Sequence, residues 1–275
     1  MRSYIPILSI AGSDCSGGAG IQADIKTISS IGCYAMTVIT ALTAQNTCGV
    51  YGIVGTQAQF VTSQLNAVWN DITPLAVKTG MLYDVEIVDA VAQYLSDKNA
   101  TNLVVDPVMV STSGSLLITE DAIDVMTKKL FPLSRIVTPN INEARYISGS
   151  DNINEQAKAF KALGCHNILI KGGDSPDRNV KTDYLFLEGD PYPIALNADA
   201  INTKNTHGTG CTLSSAIACN LALGCDVTTA VSRAKLYVTR AIEAGAYIHI
   251  GNGHGPLNHL YSPRRMKFNS LKYRK

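Results

Sequence analysis

Short apolar runs alternate along this chain with longer segments whose apolar residues recur at helical spacing. "YIPILSIA", "YAMTVITAL", "LAVKTG", "NLVVDPV", "RIVTPN" and "NILIKGG" each end at glycine, proline or a polar residue, and each predicts a buried strand. Between them, residues 19–31, 57–69, 84–96, 119–130 and 154–163 have the length and period of amphipathic helices. Strand and helix in alternation imply a mostly parallel sheet covered on both faces, with right-handed crossovers. "TDYLFLEGDPYPIAL" breaks the rhythm and predicts a hairpin at a sheet edge. Two more helices are expected after it, one from 210 and one from about 226 to 246.

The 275 residues suit one large α/β domain, here 1–262, followed by a basic tail, 263–275. Net charge is +1, yet the last fifteen residues hold six basic side chains and no acidic one, so the remainder carries about −5. Such a body has no field to gather nucleic acid, and 7% aromatic content gives no stacking platform. The tail is expected to be solvated and frayed. Seven cysteines without a CxxC pair argue for free thiols in a reducing, cytoplasmic compartment. No apolar run approaches the roughly twenty residues of a membrane helix.

In open parallel sheets ligands sit beyond the carboxyl ends of the strands, which singles out the polar residues there. The first such turn is "AGSDCSGGAGIQAD". Gly18, Gly20 and Ala23 loosely match a dinucleotide fingerprint, but no acidic residue occurs from Ile25 through Asn70 to hold a ribose. It is not a P-loop either, since Gly17 precedes another glycine instead of a lysine. What remains is a small-residue floor beside Asp14 and Asp24, suited to a compact ligand. Gln45, after the second strand, can present a donor beside an acceptor to an amino group next to a ring nitrogen, or simply bond its own loop.

Asp106 in "VVDPVM" and Asn140 and Glu143 in "TPNINEA" stand at neighbouring strand ends. Separated carboxylates there can share Mg²⁺, which takes one or two protein carboxylates and keeps several waters. Glu143 is equally suited to the first turn of a helix. Lys171 in "IKGGD" can reach phosphate oxygens or remain a surface lysine. His249, His254 and His259 recur every five residues, off any common helix face, so a zinc site is not expected.

"NTHGTGCTLSS" places Gly208, Thr209 and Gly210 where a helix begins. Bare amides at a helix start form an anion site. Cys211 beside them is either one more buried thiol or a reactive one, its pKa expected below the free value of about 8.5.

"AGSDCSGGAGIQAD", "ITALTAQNTCGV", "VKTGML", "VVDPVM", "TPNINEA", "IKGGD" and "NTKNTHGTGCTLS", in that order, resemble the hydroxymethylpyrimidine/phosphomethylpyrimidine kinases of thiamine biosynthesis, within the ribokinase-like superfamily. The resemblance runs from about residue 4 to 260. It implies a three-layer α/β/α fold, commonly a homodimer, and two successive ATP-dependent phosphorylations of 4-amino-5-hydroxymethyl-2-methylpyrimidine. Carried over motif by motif, Gly12, Asp24, Gln45, Met81 and Val108 would line the pyrimidine pocket. Asp106, Asn140 and Glu143 would organise Mg²⁺ and the phosphates, with Asp106 and Glu143 holding the metal partly through water. Lys171 would reach the ATP phosphates, Gly208, Thr209, Gly210 and Cys211 would form the anion hole, and Cys211 would act as base. Relatives with the same glycine–cysteine loop phosphorylate pyridoxal, which keeps that substrate as an alternative.

Overall fold

Alternating burial sets the architecture. The computed structural model describes residues 2–110, 117–172 and 179–270. Its strands are β1 (Arg2–Tyr4), β2 (Pro6–Asp14), β3 (Tyr34–Asn46), β4 (Gly49–Gly55), β5 (Ala76–Thr79), β6 (Leu103–Val105), β7 (Ile136–Val137), β8 (Ile168–Ile170), β9 (Val180–Phe186), β10 (Ile194–Asp199) and β11 (Phe268–Ser270). The α-helices are α1 (Gly20–Ile31), α2 (Ala58–Trp69), α3 (Val85–Asp97), α4 (Glu120–Lys129), α5 (Ile141–Ser148), α6 (Ile153–Ala162), α7 (Thr209–Ala222) and α8 (Val227–Gly245). Nine strands form one sheet in the order β10-β9-β8-β7-β6-β5-β2-β3-β4. The six from β8 to β3 run parallel, while β4 at one edge and the β9–β10 hairpin at the other are antiparallel.

Successive strand residues point to opposite faces. Leu103 and Val105 join a core with α2 to α6, while Val104 joins a second core with α1, α7 and α8. Ile168, Leu169 and Ile170 divide in the same way. The expected three-layer, ribokinase-like α/β/α arrangement is therefore present.

Two elements depart from expectation. Gln45, expected after the second strand, lies within β3, and the chain then turns back as β4. The tail does not fray over its described part: β11 pairs with β1, and Phe268 stacks on Tyr4 with ring centroids 5.3 Å apart. Residues 271–275, which carry half of the tail's basic side chains, lie outside the described residues, as do Gly173 and Asp174 of "IKGGD".

Candidate active site

Side-chain caps close the starts of five of the eight α-helices among the described residues; α2, away from the cavity, lacks one, as do the two helices whose starts open into it. Asp84, Thr119, Asn140, Asn152 and Asp226 cap α3, α4, α5, α6 and α8 with their side chains. Helices α1 and α7 begin at Ala19 and Gly208 with no side-chain cap. Both starts open into one cavity of about 890 Å³ at the carboxyl ends of the parallel strands. Uncapped amides turned to a cavity carry partial positive charge toward whatever enters.

The two loops need glycine because they touch. Gly208 has φ +85°, and a Cβ there would collide with the Gly18 carbonyl oxygen; a Cβ on Gly18 would strike the His207 ring. Behind them Asp14 is buried and saturated. It accepts from the amides of Ser16, Gly18 and Ala19, from Ser16 Oγ, and from His207 Nε2 at 2.8 Å. Burial alone would raise its pKa, but these donors, His207 foremost, hold it well below the usual carboxylate range.

Lys171, from the end of β8, reaches Asp106 Oδ1 at 2.8 Å, and Thr138 and Ser214 donate to the same carboxylate. Burial works against ionisation of Asp106, yet Lys171 and Lys78 depress its pKa. A Cβ on Gly210 would sit 3.3 Å from Lys171 Nζ and 3.5 Å from Asp106 Oδ2, so the α7 start adjoins this ion pair. Asn140 and Glu143 form a reciprocal capping box on α5: Asn140 Oδ1 accepts from the Glu143 amide, and Glu143 Oε2 from the Asn140 amide at 2.7 Å. The helical alternative for Glu143 is thus present, although the residue also lines the cavity. Burial, with the Asp106 charge adding to it, pushes its pKa up to about 7 against the pull of Lys171.

Of the sequence-derived site residues, Gly12, Gln45, Met81, Val108, Asp106, Asn140, Glu143, Lys171, Gly208, Thr209, Gly210 and Cys211 line this cavity together. Asp24 is a correction. It lies outside the lining, wholly buried on the sheet-facing side of α1, bonded to Lys78, Ser9 and Ser215. Its position three residues after Ile21 and four before Ile28 places it on the apolar stripe of the helix. Cys211 is the second correction. Burial raises its thiol to about 11; Lys78 and the Gly20 amide lower it, but not enough, and Asp24 and Asp106 push it further up. Desolvation outweighs the helix N-terminus here.

Three features escaped the sequence reading. Lys78, inside the strand expected from "LAVKTG", received no role, yet its side chain is fully buried. His207 was passed over as a flank of the glycine loop. Asp183 and Lys235, 2.8 Å apart, line the same cavity with Ile201, Val238 and Ile242, and Asp183 also accepts from the amide of Gly172, next to Lys171. Only the folded chain brings β9 and α8 to the same mouth.

A family model described as phosphomethylpyrimidine kinase matches residues 14–258. The chain belongs to that family. It is 46% identical over 260 residues to the hydroxymethylpyrimidine/phosphomethylpyrimidine kinase of Rhizobium meliloti, covering 92% of this chain and 96% of the relative. It is 44% identical to the thiamine biosynthesis bifunctional protein ThiED of Geobacter sulfurreducens, covering 92% of this chain but 52%, about half, of that longer relative. Among solved structures, the pyridoxal kinase of Staphylococcus aureus in complex with pyridoxal superposes with a TM-score of 0.85 at 31% identity, covering 97% of this chain and 98% of that one. Family membership thus rests on sequence and fold together.

Proposed function

We propose that this chain transfers phosphate from ATP to the hydroxymethyl group of 4-amino-5-hydroxymethyl-2-methylpyrimidine, and then phosphorylates the monophosphate to the diphosphate, for thiamine diphosphate synthesis. One observation carries the reading: the bare α7 start adjoins the Lys171–Asp106 pair inside the same cavity that holds Gln45. The phosphoryl group in flight would lie against the Gly208–Cys211 amides. The pyrimidine would lie toward Gly12, Gln45, Met81 and Val108, and the nucleotide toward Ile201, Val238 and Ile242. Phosphoryl transfer asks mainly for positioning and charge stabilisation, which amides and a lysine supply.

Among the described residues no cluster of three or more candidate ligands cages a metal. Asp106 and Glu143 are two neighbouring carboxylates served by one lysine, a donor set that fits Mg²⁺ held largely through water. When bound, the ion neutralises phosphate charge. Lys171 and the loop amides do the remaining charge work at the transferred group.

No helix among the described residues is long and apolar enough to cross a membrane. We further propose a cytoplasmic homodimer. Leu42 and Val54, cross-strand partners on the β3–β4 ribbon, are 54% and 68% exposed, a pair suited to a second copy of the chain. Sedimentation of wild type against Val54→Asp reads it.

Pyridoxal also bears a hydroxymethyl group, and the 0.85 superposition on a pyridoxal kinase keeps it as the second substrate to assay. The deciding experiment offers MgATP with the pyrimidine, its monophosphate and pyridoxal in parallel. Consumption of ATP with both pyrimidines supports the reading, and turnover of pyridoxal alone overturns it.

A further inference from the structure

Gln45 can read an aminopyrimidine only if its amide is held one way round, because turning it exchanges donor for acceptor. Three neighbours decide the orientation. Asp14 is an acceptor, so His207 Nε2, 2.8 Å away, carries the proton between them. That same Nε2 lies 3.2 Å from the Gln45 amide end assigned as Nε2, which would set one donor against another. With its hydrogen present, the imidazole can face only the amide oxygen. On the other side, Thr43 Oγ1 gives its one hydrogen to the nearer Ser13 carbonyl at 2.9 Å and lies 3.2 Å from the amide end assigned as Oε1, where a second donation would need the same hydrogen. A hydroxyl with its proton spent can only accept, so it faces the amide nitrogen. Both neighbours therefore select the same orientation, oxygen toward His207 and nitrogen toward Thr43, which is the amide turned over from its assigned placement, its two ends being near-identical in shape.

We infer that His207, fixed by Asp14, is a positioning residue for substrate choice: with Thr43 it locks the Gln45 amide so that its remaining lone pair and N–H meet the amino group and adjacent ring nitrogen of the pyrimidine. His207 is built for such a role. It is buried, its ring packs against Gly18, and its amide donates to Gly255, which ties it to the segment before Leu257. The chain thereby joins the phosphate-facing loop to the ring-reading residue through one side chain.

The inference rests on the pyrimidine pocket proposed above, and its test separates the two. The readout is the preference, in kcat/KM, for the aminopyrimidine over 5-hydroxymethyl-2-methylpyrimidine, which lacks the amino group. Thr43→Val and His207→Leu are each expected to lower this preference about fivefold or more, the low end for a misplaced buried hydrogen bond. His207→Gln, whose amide N–H still reaches Asp14, is expected to keep most of it. A purely structural role for His207 would slow both substrates alike and leave the ratio unmoved. An unchanged ratio in Thr43→Val overturns the inference even if His207→Leu fails to fold. Gln45→Ala is the control: a ratio unaffected by that change would instead overturn the pocket itself.

Discussion

Lys78 and Asp24 face each other at 2.8 Å, both side chains fully shut from solvent, on the sheet side of the helix that begins at Gly20. Ser9 from β2 and Ser215 from α7 complete the carboxylate at 2.5 and 2.7 Å. Ser215 stands one helical turn after Cys211. The pair thus pins β2, β5, α1 and α7 at one point beneath the Gly208–Cys211 turn.

Breaking this pair leaves a charge stranded in the core. Lys78→Met is expected to destabilise the fold by about 3–5 kcal/mol, since removing one partner of a buried ion pair costs far more than removing both. Lys78→Met with Asp24→Asn is expected to recover most of that loss. Urea unfolding of the three proteins checks it, and a double variant no better than the single one would contradict it.

Cys211 is expected to separate the two half-reactions. The first nucleophile is a neutral alcohol, while the second is a phosphate oxygen already mostly ionised at neutral pH. Cys211→Ala is expected to slow the first step about a hundredfold, the usual value of general-base help, and the second far less. Because burial raises the thiol to about 11, the first step in wild type should accelerate with pH up to that range, and Cys211→Ala should lose the slope. Equal losses in both steps would reduce Cys211 to a part of the anion hole.

Glu143 makes stability fall as pH rises. Its carboxyl moves from the ordinary 4.5 to about 7 on folding, chiefly by burial. The folded state therefore binds the proton more tightly, so this contribution is complete below pH 4.5 and is lost as pH climbs through 7. Glu143→Gln keeps the capping geometry and should flatten the decline between those limits, as read from melting temperature against pH.

His259 has the opposite sign. It is buried against Thr212, Nε2 to Oγ1 3.0 Å, and burial with the nearby Lys26 and His207 lowers its pKa to about 4. The unfolded chain takes up this proton first, so stability drains away as pH falls from 6.5 toward 4. His259→Gln should remove that part of the acid sensitivity and leave the neutral-pH melting temperature less affected.

The pattern of apolar runs laid out the strands, the helices and the edge hairpin because burial on both faces leaves a direct periodic trace. The cavity lining was legible for the same reason: strand ends are marked by a glycine, a proline or a polar side chain. Depth was not. Whether the Cys211 thiol is lowered by the helix start or raised by desolvation depends on how its neighbours from α1 and β5 surround it, which no local spacing encodes. The small-residue floor and the family resemblance place Asp24 in the ligand pocket, though the stripe of Ile21 and Ile28 already turns it inward. Lys78 needed its partner, fifty-four residues away in sequence, before it made sense in a strand. His207 could be read only once Asp14 and Gln45 were seen on either side of it.

The short ribbon of β1 and β11 brings Arg2 opposite Ser270. It hangs at the amino-terminal end of the parallel strands, whereas the cavity lies at the other. Head and tail of the described chain are thus a few ångströms apart, on the side away from the cavity. A short linker would splice them into a continuous loop, so the polypeptide order can be rewritten, or cargo appended there, without crossing the path that substrates take.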